Sequence, residues 1–184
     1  MKSTFLIALL VAASSLRAAS PESLPSTSLS LDAKTVAAKK SVRDDFKTDY
    51  GSSDKSFSRA RDIEITLRNL GRSPYDVIVA THFIGKFTAS NDRLILRSRD
   101  DPAKIQPNTT QKFSASSGFV EGTDLKLSLI GVRDVSGARI DGWIVLVRDA
   151  TTKKLLCCKA SEAHLDVLAR TPGELEKLPV NKPE

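Results

Sequence analysis

An all-β chain is predicted: an antiparallel two-sheet sandwich of about seven or eight strands with a short helical C-terminal tail. Three observations lead there. Ile63, Ile65 and Leu67 alternate with Glu64, Thr66 and Arg68, the period of a strand with one dry and one wet face. Val77 to Ile84 is apolar on both faces, as is Trp143 to Val147, so two strands are expected to be buried on both sides. Turn signals recur between such runs, and no long helical pattern separates them, which disfavours a parallel α/β arrangement.

Composition sets the bounds. The chain has 184 residues, 40% hydrophobic and 27% charged, room for one domain with tails. Seven Phe, two Tyr and one Trp leave core packing mainly to Val, Ile and Leu. The formal charge is +6; without Lys2 and Arg17 of the leader, 26 basic residues stand against 22 acidic ones, or +4. That excess is too mild and too dispersed for a nucleic-acid interface, and no nucleic-acid partner is expected.

Residues 1–20 read as a secretory signal peptide, with Lys2 as the positive start and Phe5 to Ala13 as the apolar stretch. That stretch is about half the ~20 residues a membrane span needs, so the mature protein is expected to be exported, periplasmic or secreted, with no stable membrane span. Ala18-Ala19-Ser20 fits cleavage, with Ala13-Ser14-Ser15 as a rival, and no cysteine follows to carry a lipid. Residues 21–40, rich in Ser and Pro at their start, are expected to be a flexible tether. The sandwich domain is assigned to 41–160, and 161–184 to short helices and a frayed tail.

Within the domain, Val42 to Thr48 is expected to be an edge strand forming a long hairpin with the strand through Arg68. Asp44, Asp45, Asp49 and Asp54 cluster near its turn, but their spacing does not match a calcium loop. Asn69 to Pro74 is a breaker-rich loop leading into the strand Val77 to Ile84. Arg93 to Arg97 is read as a short strand ended by Asp100-Asp101-Pro102. A loop containing Pro107 and the sequon Asn108-Thr109-Thr110 precedes a strand through Phe113. Asp124 to Ile130 alternates cleanly, Val135-Ser136-Gly137 is read as a turn, and Arg139 to Val147 pairs through the turn Asp149 to Thr152 with Lys154 to Ala160. Ser161 is read as the cap of a helix over Glu162 to Arg170, and Thr171-Pro172-Gly173-Glu174 as a capping box opening a second short turn.

The run ITLRNLG (Ile65 to Gly71) followed by a strand apolar on both faces, and the late hairpin GWIVLVRDATTKKLL (Gly142 to Leu156), resemble the immunoglobulin-like and fibronectin-III-like modules of exported bacterial proteins over about residues 41 to 160. The resemblance is architectural. It implies the sandwich and no functional residue, since no cysteine pair bridges the sheets and Trp143 falls late.

Candidate chemistry is sparse. There is no G-x-S-x-G elbow, H-E-x-x-H helix, phosphate-cradling glycine loop or dinucleotide fingerprint, so no enzyme activity and no cofactor are expected. His82 sits in an apolar strand and reads as a core residue. Cys157 and Cys158 are neighbours on a strand and point to opposite faces. The simplest reading makes one a small core hydrophobe and the other an outward thiol, which leaves a homodimer open. The sharper alternative is a thiol or soft-metal site, copper or zinc, built from Cys157, Cys158 and His164. For binding, Arg59, Arg61, Arg68 and Arg72 are the candidates. The leading expectation is a non-catalytic interaction or structural module for an unknown protein or cell-envelope partner; the alternative is a carbohydrate or anionic envelope-polymer binder.

Overall fold

A computed structural model describes residues 28–47, 53–127 and 132–181. The expected signal peptide lies outside them, as do Asp49 and the side chains of Asp44, Asp45 and Asp54. The described chain is mostly antiparallel β with one short helix, and its hydrogen-bonded sheet is open. In chain order the elements are β1 (Leu29–Lys47), β2 (Ser53–Asn69), β3 (Tyr75–Phe87), β4 (Arg93–Ile105), β5 (Thr110–Ser116), β6 (Val120–Leu127), β7 (Val132–Asp149), β8 (Leu155–Ala160) and α1 (Ala163–Arg170). Eight strands follow the path β1-β2-β6-β7-β3-β4, with β5 also paired to β2 and β8 to β7.

The long β1–β2 hairpin forms as its alternation implies, Val42 lying opposite Phe57. It is longer than expected, because β1 starts at Leu29 inside the stretch read as tether. Leu29 and Ala33 are buried, with Leu31 packed beside them, and they lie opposite Asn69, Ile65 and Leu67 of β2. The polar residues between them occupy the wet face, so composition concealed a strand period.

β2 and β3 do not pair with each other. β2 hydrogen-bonds to β1, β5 and β6, and β3 to β4 and β7. They meet instead through side chains: Ile63, Ile65 and Leu67 join Val77, Val79 and Phe83, with Trp143, Val145 and Val147 of β7, in one buried cluster. Each Leu, Ile, Val or Phe so buried contributes about 1.5–3 kcal/mol. The other face of β3 and β7, Ala80, Ile84, Ile144 and Leu146, is covered by Leu165 of α1 and Leu175 beyond it, which explains why both strands are apolar on both sides.

Three details position the cleft described below. Asn69, fully buried, donates through Nδ2 to the carbonyls of Ser73 (2.8 Å) and Ile105 (3.2 Å), and its Oδ1 accepts from the Gly71 amide (2.8 Å), pinning the β2–β3 loop to the end of β4. β4 then continues through Asp100-Asp101-Pro102, where a break was expected. It lies at the end of the strand path, so Pro102, opposite Ile78, needs no outward amide partner. Third, Ser117 is stitched to Arg61: its amide donates to the Arg61 carbonyl (2.9 Å) and its Oγ accepts from the Arg61 amide (2.9 Å). β5 and β6 therefore lie end to end along β2.

The turn expected at Val135 to Gly137 is continuous strand. β7 pairs with β6 up to Gly137 and with β3 from Ala138 onward, so it passes from one part of the sheet to the other at this point. Gly137 has φ +83, and a Cβ there would collide with the Glu121 carbonyl oxygen. Only glycine allows this close crossing. α1 begins one residue later than expected and has no side-chain cap; the Ser161 hydroxyl accepts instead from the Trp143 amide (3.0 Å). Thr171 caps the end of α1, its hydroxyl donating to the Val167 carbonyl (2.8 Å), and its own carbonyl accepts from the Glu174 amide (3.3 Å) as the expected second turn opens. The chain then returns to the β4 edge, where Ile95 accepts from the Asn181 amide and donates to the Pro179 carbonyl (2.8 Å each).

Candidate functional site: a cleft between β4 and β5

On the inner face of β3 the sequence Val77, Val79, Thr81, Phe83 places one hydroxyl in an apolar row. Thr81 is 1% exposed, and its Oγ1 has no hydrogen-bond partner among the described residues. A buried hydroxyl left unpaired costs about 1–3 kcal/mol, so its retention requires a reason. Thr81 lines a cleft of about 290 Å³ whose other walls include Asp62 and Ile63 of β2, Arg97 and Arg99 of β4, and Ser114 and Ser116 of β5.

The strand register creates this lining. Thr81 lies opposite Arg99, and Phe83 opposite Arg97, so both arginines project on the side of β4 that carries the core. On the facing strand pair, Ile63 lies opposite Ala115 and Asp62 opposite Ser116. The two arginines differ in state. Arg99 is held: its Nε and Nη2 both donate to Asp101 Oδ1 (2.9 and 2.7 Å), and its Nη1 reaches the Ser114 carbonyl across the cleft (3.4 Å). Arg97 makes no hydrogen bond or ion pair among the described residues. The cleft thus sets an unpaired guanidinium and the Ser114 carbonyl over an apolar floor of Ile63, Phe83 and Ala115, while Asp62, Ser114 and Ser116 share the strand parity of the wet face that carries Glu64.

The arginines singled out from sequence do not converge. Arg59 is exposed, its guanidinium 5.6 Å from the centre of the Phe57 ring. Arg61 lines a separate groove beside Trp143 and Lys159. Arg68 lies on the opposite face of β2, and Arg72 is exposed in the following loop. Sequence reasoning missed the cleft, although two signals pointed to it: Thr81 is the polar member of an otherwise apolar row, and Arg97 and Arg99 share strand parity.

The cysteines sit as their adjacency requires, Cys157 against the inner core and Cys158 under the tail. Burial, then the neighbouring Cys158, pushes the Cys157 thiol up to about 12; burial, then Asp166, also raises Cys158. Both therefore rest as thiols rather than thiolates, which disfavours nucleophilic attack by either. His164 is engaged elsewhere, its Nε2 3.0 Å from Asp141 Oδ2. No group of three His, Cys, Asp or Glu side chains among the described residues is arranged to hold a metal ion. Asp141 also receives Lys86 Nζ (2.9 Å) and Arg93 Nε (3.4 Å). Burial pushes its carboxyl up, but hydrogen bonds from Lys86 and His164 outweigh this and hold it below the usual carboxylate value. His82, half-buried on the outer face, binds Ser98 Oγ through Nδ1 (2.7 Å), and burial lowers its pKa. Trp143 is core, 3% exposed, with its indole nitrogen donating to Thr35 Oγ1 (3.1 Å).

No family model matches the chain, and no curated protein matches it. Among solved structures, a Bacteroides uniformis β-glucuronidase aligns with 71% of this chain and 12% of its own length at 12% identity and a TM-score of 0.36. A β-glucosidase involved in saponin metabolism from intestinal bacteria aligns with 76% of this chain and 17% of its own at 15% identity and 0.33. The β-glucosidase of Kluyveromyces marxianus in complex with glucose gives 73%, 14%, 13% and 0.28. The chain thus spans less than a fifth of the length of each of these proteins, and likeness at this level transfers no activity to it. No helix of the described residues is long and apolar enough to cross a membrane.

Proposed function

We propose that the protein is an exported, non-catalytic binding module, an immunoglobulin-like two-sheet sandwich that contacts its ligand through the cleft between β4 and β5. The sandwich reading is supported by contacts between strands that share no ladder: the Trp143 indole on Thr35, Lys159 on Asp32, and Arg99 on the Ser114 carbonyl. The observation that carries the binding role is the buried, unpartnered Thr81 hydroxyl at a cleft that also presents the unpaired Arg97 guanidinium. A purely structural strand would place valine there, as it does at Val77 and Val79.

The alternative of an anionic envelope polymer is favoured over the thiol one, because the unpaired Arg97 guanidinium at the cleft offers it a charge, whereas the raised thiol pKa values oppose reactivity at Cys157 and Cys158. The test is nuclear magnetic resonance shift mapping of the full chain against solubilised cell-envelope glycans. Shifts should cluster at Thr81, Arg97, Ser114 and Ala115, weaken markedly in Arg97→Ala, and leave the glycan chemically unchanged. Conversion of the glycan, or shifts elsewhere that survive Arg97→Ala, would refute the proposal.

A further inference from the structure

We infer that the cleft continues past Arg97 into an apolar trough framed by Phe87 and Phe119, and that the two together take an extended segment of a partner protein carrying an acidic side chain beside an aromatic one. The inference rests on the reading of the cleft as the contact surface and adds the trough and the class of partner.

Two exposed rings mark the trough. Phe119 is 65% exposed and Phe87 38%. They border one cavity of about 360 Å³, above Leu94 and Leu96 of β4 and Val120 of β6. Single exposed apolar side chains are ordinary, whereas two aromatic rings around one hollow make a contiguous apolar patch of the kind that marks an interaction site.

Trough and cleft adjoin along both walls. On β4, Leu96 lines the trough and Arg97 the cleft; on the facing wall, Ser117 lines the trough and Ser116 the cleft. The cause is a β-bulge. Arg97 lies opposite Phe83 and Ile95 opposite Ile84, so Leu96 is the extra residue, and the bulge aims two consecutive side chains at the same space. Gly85 makes room for it, since a Cβ there would stand 2.7 Å from Leu96 Cγ. Arg97 in turn reaches the corner that carries Phe119: its Nη1 is 3.4 Å from where a Cβ on Gly118 would stand.

Charge then selects the partner. Arg99 is neutralised by Asp101, whereas Arg97 has no ion pair among the described residues and offers a carboxylate two parallel hydrogen bonds. An arginine next to aromatic rings is the composition of an interface hot spot. Glu121 also borders the trough, which disfavours an acidic side chain at that end and fixes the order, carboxylate on Arg97 and ring between Phe87 and Phe119. In an extended chain, side chains two residues apart share a face at a spacing of ~6.8 Å, a step that carries a segment from one cavity into the adjoining one. A neutral segment leaves Arg97 unanswered, and a small anion leaves both rings in water.

The experiment is a resonance titration of the full chain with the peptide acetyl-Ser-Phe-Ser-Glu-Ser-Phe-Ser-amide, which sets a ring two residues to either side of the acid and so serves either chain direction. Two control peptides replace its Glu by Gln or both its Phe by Ala. The parent peptide should shift Arg97, Gly118 and Phe119, and each control should bind about three- to fivefold more weakly. Phe119→Ser, at an exposed position, should bring the parent peptide down to the level of the alanine control, and Arg97→Gln to that of the glutamine control. A parent peptide that binds no better than its controls, or that shifts other residues, would overturn the partner class. The cleft reading is judged separately by the glycan mapping above: glycan shifts at Arg97 without peptide binding leave it standing, and loss of both removes it.

Discussion

Replacing Thr81 by valine should stabilise the protein and weaken its binding. The hydroxyl oxygen is buried without a partner among the described residues, an arrangement that costs about 1–3 kcal/mol. Valine keeps the β-branched shape favoured in strand β3 and adds an apolar group worth about 0.8 kcal/mol when buried. The cleft is open to solvent on one side, which reduces both contributions, so the expected net gain is about 1 kcal/mol, or a rise in melting temperature of about 2–4 °C for a chain of this size. Thr81→Ser, which keeps the hydroxyl and loses the methyl, should instead lose about 1 kcal/mol. Urea denaturation of the wild type and both variants measures this directly, provided the slope m is unchanged. A Thr81→Val protein less stable than wild type by about 1 kcal/mol or more would mean that the hydroxyl is satisfied in the resting protein, and the argument from it to a ligand would fail.

Asn69→Ala removes two donated bonds and one accepted bond at a fully buried position and leaves the Ser73 and Ile105 carbonyls without their side-chain donor; a loss of about 2–4 kcal/mol is expected in the same denaturation assay. Alkylation of the native protein by iodoacetamide at pH ~8 should be at least about a hundredfold slower at Cys157 than in the urea-unfolded chain, since a thiol pushed up to about 12 is almost entirely protonated there; mass mapping of the modified cysteine checks it, and alkylation at the unfolded rate would contradict the buried placement. Asp141→Asn should cost about 1–2 kcal/mol at pH ~7. The folded carboxyl titrates below its ordinary value of 3.8, so its contribution is present above that value and is lost as pH falls through the lower folded one. The stabilities of the wild type and of the Asp141→Asn variant should therefore draw together as pH falls below 3.8, and a gap that stays unchanged down to the acid unfolding limit would exclude the ionised Asp141 network as its source.

Much of the strand inventory could be read locally because the pattern and the burial agree. Ile63, Ile65 and Leu67 alternate and are buried, and the two-sided apolar runs in β3 and β7 are covered by the core on one face and the tail on the other. The misreadings share one cause: each depended on what lies beside the strand rather than within it. Pro102 ends a central strand but not an edge one, and the sequence does not state that β4 is an edge. Gly137 looks like a turn residue, yet its left-handed backbone lets β7 cross between partners at contact distance from Glu121. Leu29, Leu31 and Ala33 show a strand period only once β2 is present to cover them.

The cleft was missed for the same reason: Thr81 and the parity of Arg97 and Arg99 are visible in the sequence, but that they face one another across a cleft depends on which strands lie side by side. An inner-face position can hold a polar residue only where something supplies its missing partner. Thr81 stands on β3 between Val79 and Phe83, both buried in the same cluster, while its cross-strand neighbour Arg99 reaches out to the Ser114 carbonyl. The Arg99 side chain thus spans from β4 to β5. Arg97, two residues along and on the same face, is then left facing the space with its charge unpaired among the described residues. Binding capacity here follows from register: a one-residue slip between β3 and β4 would turn both arginines to the tail side and close the core over Thr81.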